Sequence, residues 1–272
     1  MLILTASDIK AKAEKNRDGW KIHVAETDCD QALEIVKQYF RENPLSDPAS
    51  IVSSAENPPS FLGLGAALVL LAFYVAAEVN AVHSVLIAEF GCSAEDVLRG
   101  QWYRTLTALM LHKDIVHLAG NMAAITVFTS AVTAATGSGI GSFMILLSGM
   151  AGNLLNAFFY KSNHFSIGAS TAVFGAIGIL SALGFGRKIR RPGRRINAWL
   201  PLFSGLCLLA FLGGPGERVD LMAHLFGFAA GIVIGLLYVF FCRQPTAPAF
   251  QTACLMATLA LVAMAWLKFF YL

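Results

Sequence analysis

The fold of this chain is decided by residues 115–160, which read IVHLAGNMAAITVFTSAVTAATGSGIGSFMILLSGMAGNLLNAFFY. These 46 residues contain no Asp, Glu, Lys or Arg. A helix needs about 20 residues to cross the roughly 30 Å of bilayer hydrocarbon, so the stretch is long enough for two spans. Gly137-Ser138-Gly139 lies near its middle and predicts the turn between them.

Five further stretches are also free of these charged residues, and each has the length of one span. Charges inside the hydrocarbon region are costly, so charge-free stretches of this length favour membrane helices. Together with the pair above they predict seven spans, at 61–80, 117–135, 140–160, 168–186, 197–214, 221–241 and 250–270. We therefore expect an all-α polytopic membrane protein.

The composition of the 272-residue chain supports this fold class. Apolar residues make up 56% of the chain and charged residues 14%, and the mean hydropathy is +0.63. An ordinary soluble domain has about a quarter charged residues, so the composition argues against a soluble protein. The net charge of +3 gives no extended basic face and argues against a nucleic-acid partner. The five cysteines lack Cys-x-x-Cys spacing, so we expect no disulfide framework and no zinc site. We also expect no cofactor.

Basic residues predict the orientation, because Lys and Arg are enriched on the cytoplasmic side of membrane spans. With the N-terminus inside, the inner segments hold fourteen Lys and Arg residues and the outer segments hold six. The short loop 187–195 alone carries six of the fourteen. A polar segment precedes the first span, and no secretory signal is seen. We expect a multi-pass protein of the bacterial cytoplasmic (inner) membrane with a cytoplasmic N-terminus.

Residues 1–58 differ from the rest and predict a small soluble α+β appendage with a linker. Residues 20–24, Trp-Lys-Ile-His-Val, alternate like a strand. An apolar stripe at helical spacing predicts a helix over 30–42, and Asn43-Pro44 ends it. The stripe consists of Ala32, Ile35, Val36, Tyr39 and Phe40.

Polar side chains stand out at three sites inside the predicted spans, where buried polar groups are costly and therefore indicate function. His117 and Asn121 are four residues apart near the start of the second span, so they share one helix face. Ser170 and His224 lie near the starts of the fourth and sixth spans. These three spans all run from outside to inside, so the four groups should lie about 5–10 Å below the outer face.

The residue types fit hydrolysis: a serine nucleophile, a histidine base, and a histidine with an asparagine as donors to an oxyanion. No Asp or Glu lies in these three spans, so a serine hydrolase would use a Ser-His dyad. Each residue also has a structural interpretation, because Ser, His and Asn in spans often bond a helix carbonyl. A transporter or channel with polar pore residues is therefore an alternative, although no internal repeat is seen.

Three short motifs carry a resemblance to a known family. Gly168-Ala169-Ser170-Thr171 opens the fourth span as G-x-S-x, and His117 with Asn121 forms H-x-x-x-N in the second. The sixth span holds A-H-x-x-G, from Ala223 to Gly227. In these motifs, and in their order along roughly residues 60–241, the sequence resembles the rhomboid family of intramembrane serine proteases.

The resemblance implies a rhomboid-like six-helix core plus one extra C-terminal transmembrane helix. It implies that Ser170 attacks the scissile carbonyl and that His224 takes its proton. The oxyanion would be met by the Ser170 backbone N–H and the side chains of Asn121 and His117. Supporting roles fall to Gly168, which lets another backbone approach, Phe174, which packs on the His224 ring, and Gly227, which brings the fourth and sixth spans together.

The implied domains are a cytoplasmic appendage and linker (1–58), a catalytic core (59–242) and an additional helix (243–272). The implied activity is cleavage of transmembrane or juxtamembrane segments of single-span or other membrane proteins in the lipid bilayer, near its outer face. The alternative is a non-proteolytic protein of this fold that binds or guides membrane clients. The oligomeric state stays open.

Two positions depart from the family pattern. Thr171 follows the nucleophile where rhomboids commonly have glycine, and Tyr103 replaces the tryptophan of a Trp-Arg pair that here ends in Arg104. A β-branched residue at 171 narrows the backbone options and predicts an effect on the oxyanion geometry or on substrate choice. In the first loop, His112 is expected to brace the loop, and Trp102 and Tyr103 to anchor it at the membrane interface.

Overall fold

The computed structural model of the chain describes residues 2–16, 19–42, 60–189, 199–212, 220–242 and 246–271. The chain divides into two compact units, residues 1–55 and 56–272. In its described residues, the first unit combines helices with a strand pair, and the second consists almost entirely of helices.

The N-terminal unit is a hairpin with two helices. Its elements are α1 (Leu2–Ala6), β1 (Ala11–Asn16), β2 (Gly19–Val24) and α2 (Cys29–Glu42). The strands pair antiparallel, with Ala11 opposite Val24. A small core forms around Leu4, Ile9 and Ala32. Strand β2 and helix α2 confirm the strand predicted at 20–24 and the helix predicted at 30–42. The apolar stripe of α2 is only partly covered, because Tyr39 and Phe40 are exposed.

The second unit is a helical bundle with ten α-helices in its described residues. They are α3 (Leu62–Val79), α4 (His83–Phe90), α5 (Ala94–Leu98), α6 (Arg104–Thr107), α7 (Ile115–Thr136), α8 (Ser138–Tyr160), α9 (Ser170–Ile189), α10 (Leu200–Leu212), α11 (Leu221–Phe241) and α12 (Pro248–Trp266). Six of them, α3, α7, α8, α9, α11 and α12, are long and apolar enough to cross a membrane. The protein is therefore an integral multi-pass membrane protein, and six of the seven predicted spans are confirmed.

The fifth predicted span, 197–214, lies partly outside the described residues. Its described part is helix α10, which has 13 residues and covers about 20 Å at 1.5 Å per residue. Residues 190–198 and 213–219, on either side, lie outside the described part of the chain.

Helix α9 lies at the centre of the bundle, with 72% of its membrane-spanning window buried. It packs against α11 through glycines. A Cβ on Gly227 would collide with the carbonyl oxygen of Thr171, and a Cβ on Gly231 with that of Gly175. Small residues allow two membrane helices to approach this closely. The approach brings the N-terminal ends of α9 and α11 together.

The long loop before α7 is a folded element built around the buried Arg104. The Arg104 guanidinium donates to the carbonyls of Ala88 and Gly91 at 3.0 and 3.1 Å. It also donates to Gln101 Oε1 at 2.8 Å. Trp102 is 70% exposed, which fits the expected interfacial anchor, whereas Tyr103 is half-buried against the ring of Phe90.

Candidate active site

The ends of α9 and α11 bring Ser170 and His224 into hydrogen-bonding contact. Ser170 is the first residue of α9 and His224 the fourth of α11. Their Oγ and Nε2 atoms are 2.8 Å apart. The Phe174 ring lies one turn after Ser170, with its centroid 4.4 Å from that of the His224 ring and a tilt of 33°. His224 is buried, so its ring is held between the serine and the phenyl ring.

The segment before Ser170 is fixed by the first loop. The Gly168 N–H donates to the Ala108 carbonyl at 2.9 Å, and the Ala169 N–H donates to His112 Nε2 at 3.4 Å. Gly168 has a φ of +121°, a conformation that residues with a Cβ rarely adopt. A Cβ there would also lie 2.8 Å from two atoms of the His117 ring. The position therefore requires glycine for two independent reasons.

His112 is expected to brace the first loop, and the structure places it between that loop and the segment before Ser170. Its side chain is almost fully buried, and its carbonyl lies 2.8 Å from Nε2 of His83. Burial lowers the pKa of His112 to about 4. The imidazole is therefore neutral near pH 7, as it must be to accept from the Ala169 N–H.

His117 and Asn121 lie on one face of α7, beside Gly168. The Asn121 side chain is buried, and its Nδ2 donates to the His117 carbonyl at 3.1 Å. A Cβ on Gly168 would lie 3.7 Å from the same Nδ2. Both residues line the cavity that contains Ser170 and His224. Their service as oxyanion donors stays a prediction.

Thr171 packs inward at the junction of three helices. It is buried, and a Cβ on Gly152 would lie 2.6 Å from its Cγ2 and 2.7 Å from the Cα of Gly227. The Cγ2 methyl group of Thr171 therefore fits into the space that is left because Gly152 and Gly227 carry no side chain.

An acidic residue that the sequence patterns did not single out lies one turn before His224. Asp220 caps α11, because its Oδ1 accepts from the Ala223 N–H at 3.1 Å. Its Oδ2 accepts from Asn156 Nδ2 at 2.7 Å and lies 2.6 Å from His164 Nε2. This cluster ties the start of α11 to the end of α8 and to the loop that follows. An N-cap signal, Asp just before an apolar run, was available in the sequence.

The candidate nucleophile, base and oxyanion donors line one cavity of about 1310 Å³. Besides Ser170, His224, His117 and Asn121, it is lined by the charged groups of Lys113, Asp114 and Asp220. Charged side chains in its lining favour hydration, so the cavity can admit the water that hydrolysis needs.

Comparisons with known proteins bear on the family of the chain. Residues 99–241 match the family model described as the Rhomboid domain. The chain is 27% identical over 143 residues to the "Putative rhomboid protease YdcA" of Bacillus subtilis, which covers 53% of this chain and 70% of that protein. It is 30% identical over 179 residues to "Rhomboid protease GluP" of the same organism, covering 64% of this chain and 34% of that protein.

A plant relative, "RHOMBOID-like protein 4" of Arabidopsis thaliana, is 31% identical over 151 residues, covering 54% of this chain and 37% of that protein. The chain thus spans about a third of the length of this relative and of GluP. Fold and comparisons together define a multi-pass membrane protein of an intramembrane protease class. The family model matches more than half of the chain, and the chain belongs to the rhomboid family.

Proposed function

We propose that this protein is a rhomboid-type serine endopeptidase that cleaves transmembrane or juxtamembrane segments of membrane proteins with a Ser170–His224 dyad. The observation that carries the proposal is the 2.8 Å hydrogen bond between Ser170 Oγ and His224 Nε2. A nucleophile within hydrogen-bonding reach of a base is the arrangement that nucleophilic catalysis requires.

In the proposed reaction, His224 Nε2 accepts the proton of Ser170 Oγ while Oγ bonds to the scissile carbonyl carbon. The Ser170 N–H and the side chains of His117 and Asn121 donate to the oxyanion that forms. His224 then protonates the leaving amine, the C–N bond breaks, and an acyl-enzyme remains. Water, deprotonated by His224, attacks this ester, releases the new carboxyl end and restores Ser170.

The dyad works without an acidic partner for His224. Within the described residues, His224 Nδ1 is buried and has no hydrogen-bond partner, and the carboxylate of Asp220 is engaged by Ala223, Asn156 and His164. We assign the orientation of the imidazole to the Phe174 ring instead. Gly168 and Gly227 serve as supporting positions, because a side chain at either one would collide with His117 or with α9.

The proposed setting is a bacterial cytoplasmic membrane, with the N-terminus inside and the cavity toward the outer face. The six basic residues of 187–195 support this orientation. We keep the division into an appendage with its linker (1–58), a catalytic core (59–242) and an additional helix (243–272) as part of the proposal. Labelling of single introduced cysteines by an impermeant reagent in intact cells tests the orientation: residue 270 should react and residue 40 should not.

Cleavage of a fluorogenic single-span peptide in liposomes tests the function. The purified protein is compared with Ser170→Ala, His224→Ala and the matched control Ser181→Ala. Ser181 is buried on the same helix as Ser170, but its Oγ donates to the Ile177 carbonyl at 2.8 Å, within its own helix. We expect cleavage by the wild type and by Ser181→Ala alone. Equal cleavage by Ser170→Ala and the wild type would refute the proposal. If neither protein cleaves the peptide but both bind a membrane client, the non-proteolytic alternative is favoured.

A further inference from the structure

Helix α12 is attached to the bundle near its N-terminal end by one amide side chain. Gln251 Oε1 accepts from the N–H groups of Gly139 and Ile140 at 2.9 and 3.0 Å, and its Nε2 donates to the Thr136 carbonyl at 2.8 Å. The first N–H groups and the last carbonyls of helices have no partner within their own helix. Gln251 therefore satisfies the end of α7 and the start of α8 together.

At the other end of α12, aromatic and polar contacts reach the first loop. The Trp266 ring stacks on Phe90, with centroids 4.8 Å apart and a tilt of 29°, and its Nε1 lies 3.1 Å from Met110 Sδ. Just beyond the helix, Lys268 Nζ donates to the Tyr103 hydroxyl at 2.8 Å. Trp266 and Lys268 thus hold three separate points of that loop.

Between these ends α12 is partly buried: 6% of the residues in its membrane-spanning window are fully buried, and Cys254 packs against the bundle core. Lipid is as apolar as the helix surface, so a membrane helix gains little from apolar contact and is held by specific packing and hydrogen bonds. The hydrogen bonds and ring contacts at its two ends therefore add to the packing of α12 against α8 in fixing where α12 lies.

The loop segment that Trp266 contacts is the one that holds the residues before Ser170. Met110 lies between Ala108, whose carbonyl accepts from the Gly168 N–H, and His112, whose ring accepts from the Ala169 N–H. A shift of this segment would move both acceptors and, with them, the start of α9.

We propose that α12 is a positioning element for the nucleophile, and that Trp266 acts on Ser170 through Met110 and the segment 108–112. Trp266 touches neither Ser170 nor His224 and is a positioning residue. The consequence for catalysis rests on the proposed function, whereas the mechanical coupling to residues 168–170 does not.

The test uses full-length protein in detergent micelles and compares Trp266→Ala with the matched control Phe270→Ala. Phe270 is an aromatic residue four positions later that is 79% exposed. Hydrogen exchange of peptides covering 104–112 and 166–171 reports the coupling directly, and kcat and KM for the single-span peptide report its effect on turnover. Trp266→Phe keeps the ring stacking and removes only the donor to Met110, so it covers the case in which Trp266→Ala does not fold.

We expect Trp266→Ala to accelerate exchange in both peptides by tenfold or more and to lower kcat at least tenfold with KM within twofold. Trp266→Phe should show the same pattern at smaller size, and Phe270→Ala should match the wild type. Unchanged exchange at 166–171 in folded Trp266→Ala, or in Trp266→Phe when the alanine variant is unfolded, would overturn the inference. If Trp266→Ala accelerates exchange in both peptides but the wild type shows no turnover, the coupling is upheld and the proposed function is refuted.

Discussion

Asp114 and Asp220 occupy equivalent positions at the starts of two helices, α7 and α11, that each carry a histidine of the candidate site. Asp114 Oδ1 accepts from the His117 N–H at 2.8 Å, and Asp220 Oδ1 accepts from the Ala223 N–H at 3.1 Å. Both carboxylates are N-caps, which fix the first turn of a helix. The acidic residues near the site therefore set where the helices of both histidines begin, without contacting the His224 ring.

Two substitutions of Asp220 should distinguish the effect of helix capping from the effect of its negative charge on stability and kcat. Asp220→Ala removes the cap, which costs about 1 kcal/mol, and it leaves Asn156 and His164 without their shared acceptor, so we expect a lower melting temperature and lower kcat. Asp220→Asn keeps a good capping residue and should retain most of both. Thermal unfolding and kcat measured on the two variants check this, and equal losses in both would show that charge, not capping, is what α11 needs.

The prediction of these helices from sequence succeeded because lipid excludes charge. Charge-free runs located α3, α7, α8, α9, α11 and α12 to within a few residues. The same method could not find Asp220, because it considers only charge-free stretches and the N-cap residues of the helices lie just outside them. The pairing of Ser170 with His224 is implied by the family resemblance and not by the residue patterns alone, because it depends on a glycine contact between helices far apart in the sequence.

Two elements show where local patterns are insufficient. Strand β1, Ala11–Asn16, reads AKAEKN, which has no β-branched or aromatic residue, and its strand conformation depends on pairing with β2. In helix α10, whose described part is Leu200–Leu212, Pro201 is typical of the first turn of a helix, a signal that the charge-free run does not use.

Gly168→Ala should impair the site, whereas Gly120→Ala should not. Alanine at 168 would need the unfavourable φ of +121° and would press on the His117 ring. At the matched position, Gly120 on α7, a Cβ would meet no atom within 4 Å, so alanine fits there. We expect at least a tenfold loss of kcat/KM for the first variant and less than twofold for the second. Equal activity of the two variants would contradict the role assigned to Gly168.

Stability should fall on acidification because of His112. Its pKa is lowered from 6.5 to about 4 by burial, so between these values the unfolded chain binds a proton that the folded chain excludes. Stability from the neutral ring is complete above about pH 6.5 and declines toward pH 4, by up to about 1.4 kcal/mol per pH unit. Melting temperatures of the wild type and His112→Gln from pH 7.5 to 4.5 measure this. The wild type should show the steeper decline, and parallel curves would contradict it.

Asn121→Ala tests the proposed oxyanion donor. Loss of one such donor lowers kcat by about 10²–10³-fold, whereas loss of a packing residue changes stability without a comparable effect on kcat. Whichever role Asn121 has, the substitution also removes its helix-internal bond to the His117 carbonyl. The melting temperature reports that structural loss and therefore provides the control. A kcat within threefold of the wild type would exclude the donor role.

Activation of Ser170 by His224 through their hydrogen bond is the central claim, and covalent labelling tests it most directly. A fluorophosphonate probe is added to the wild type, Ser170→Ala and His224→Ala, and the labelled residue is located by mass spectrometry. We predict rapid labelling at Ser170 in the wild type, none at that position in Ser170→Ala, and labelling slowed at least a hundredfold in His224→Ala. Labelling of Ser170 at the same rate with and without His224 would contradict the claim.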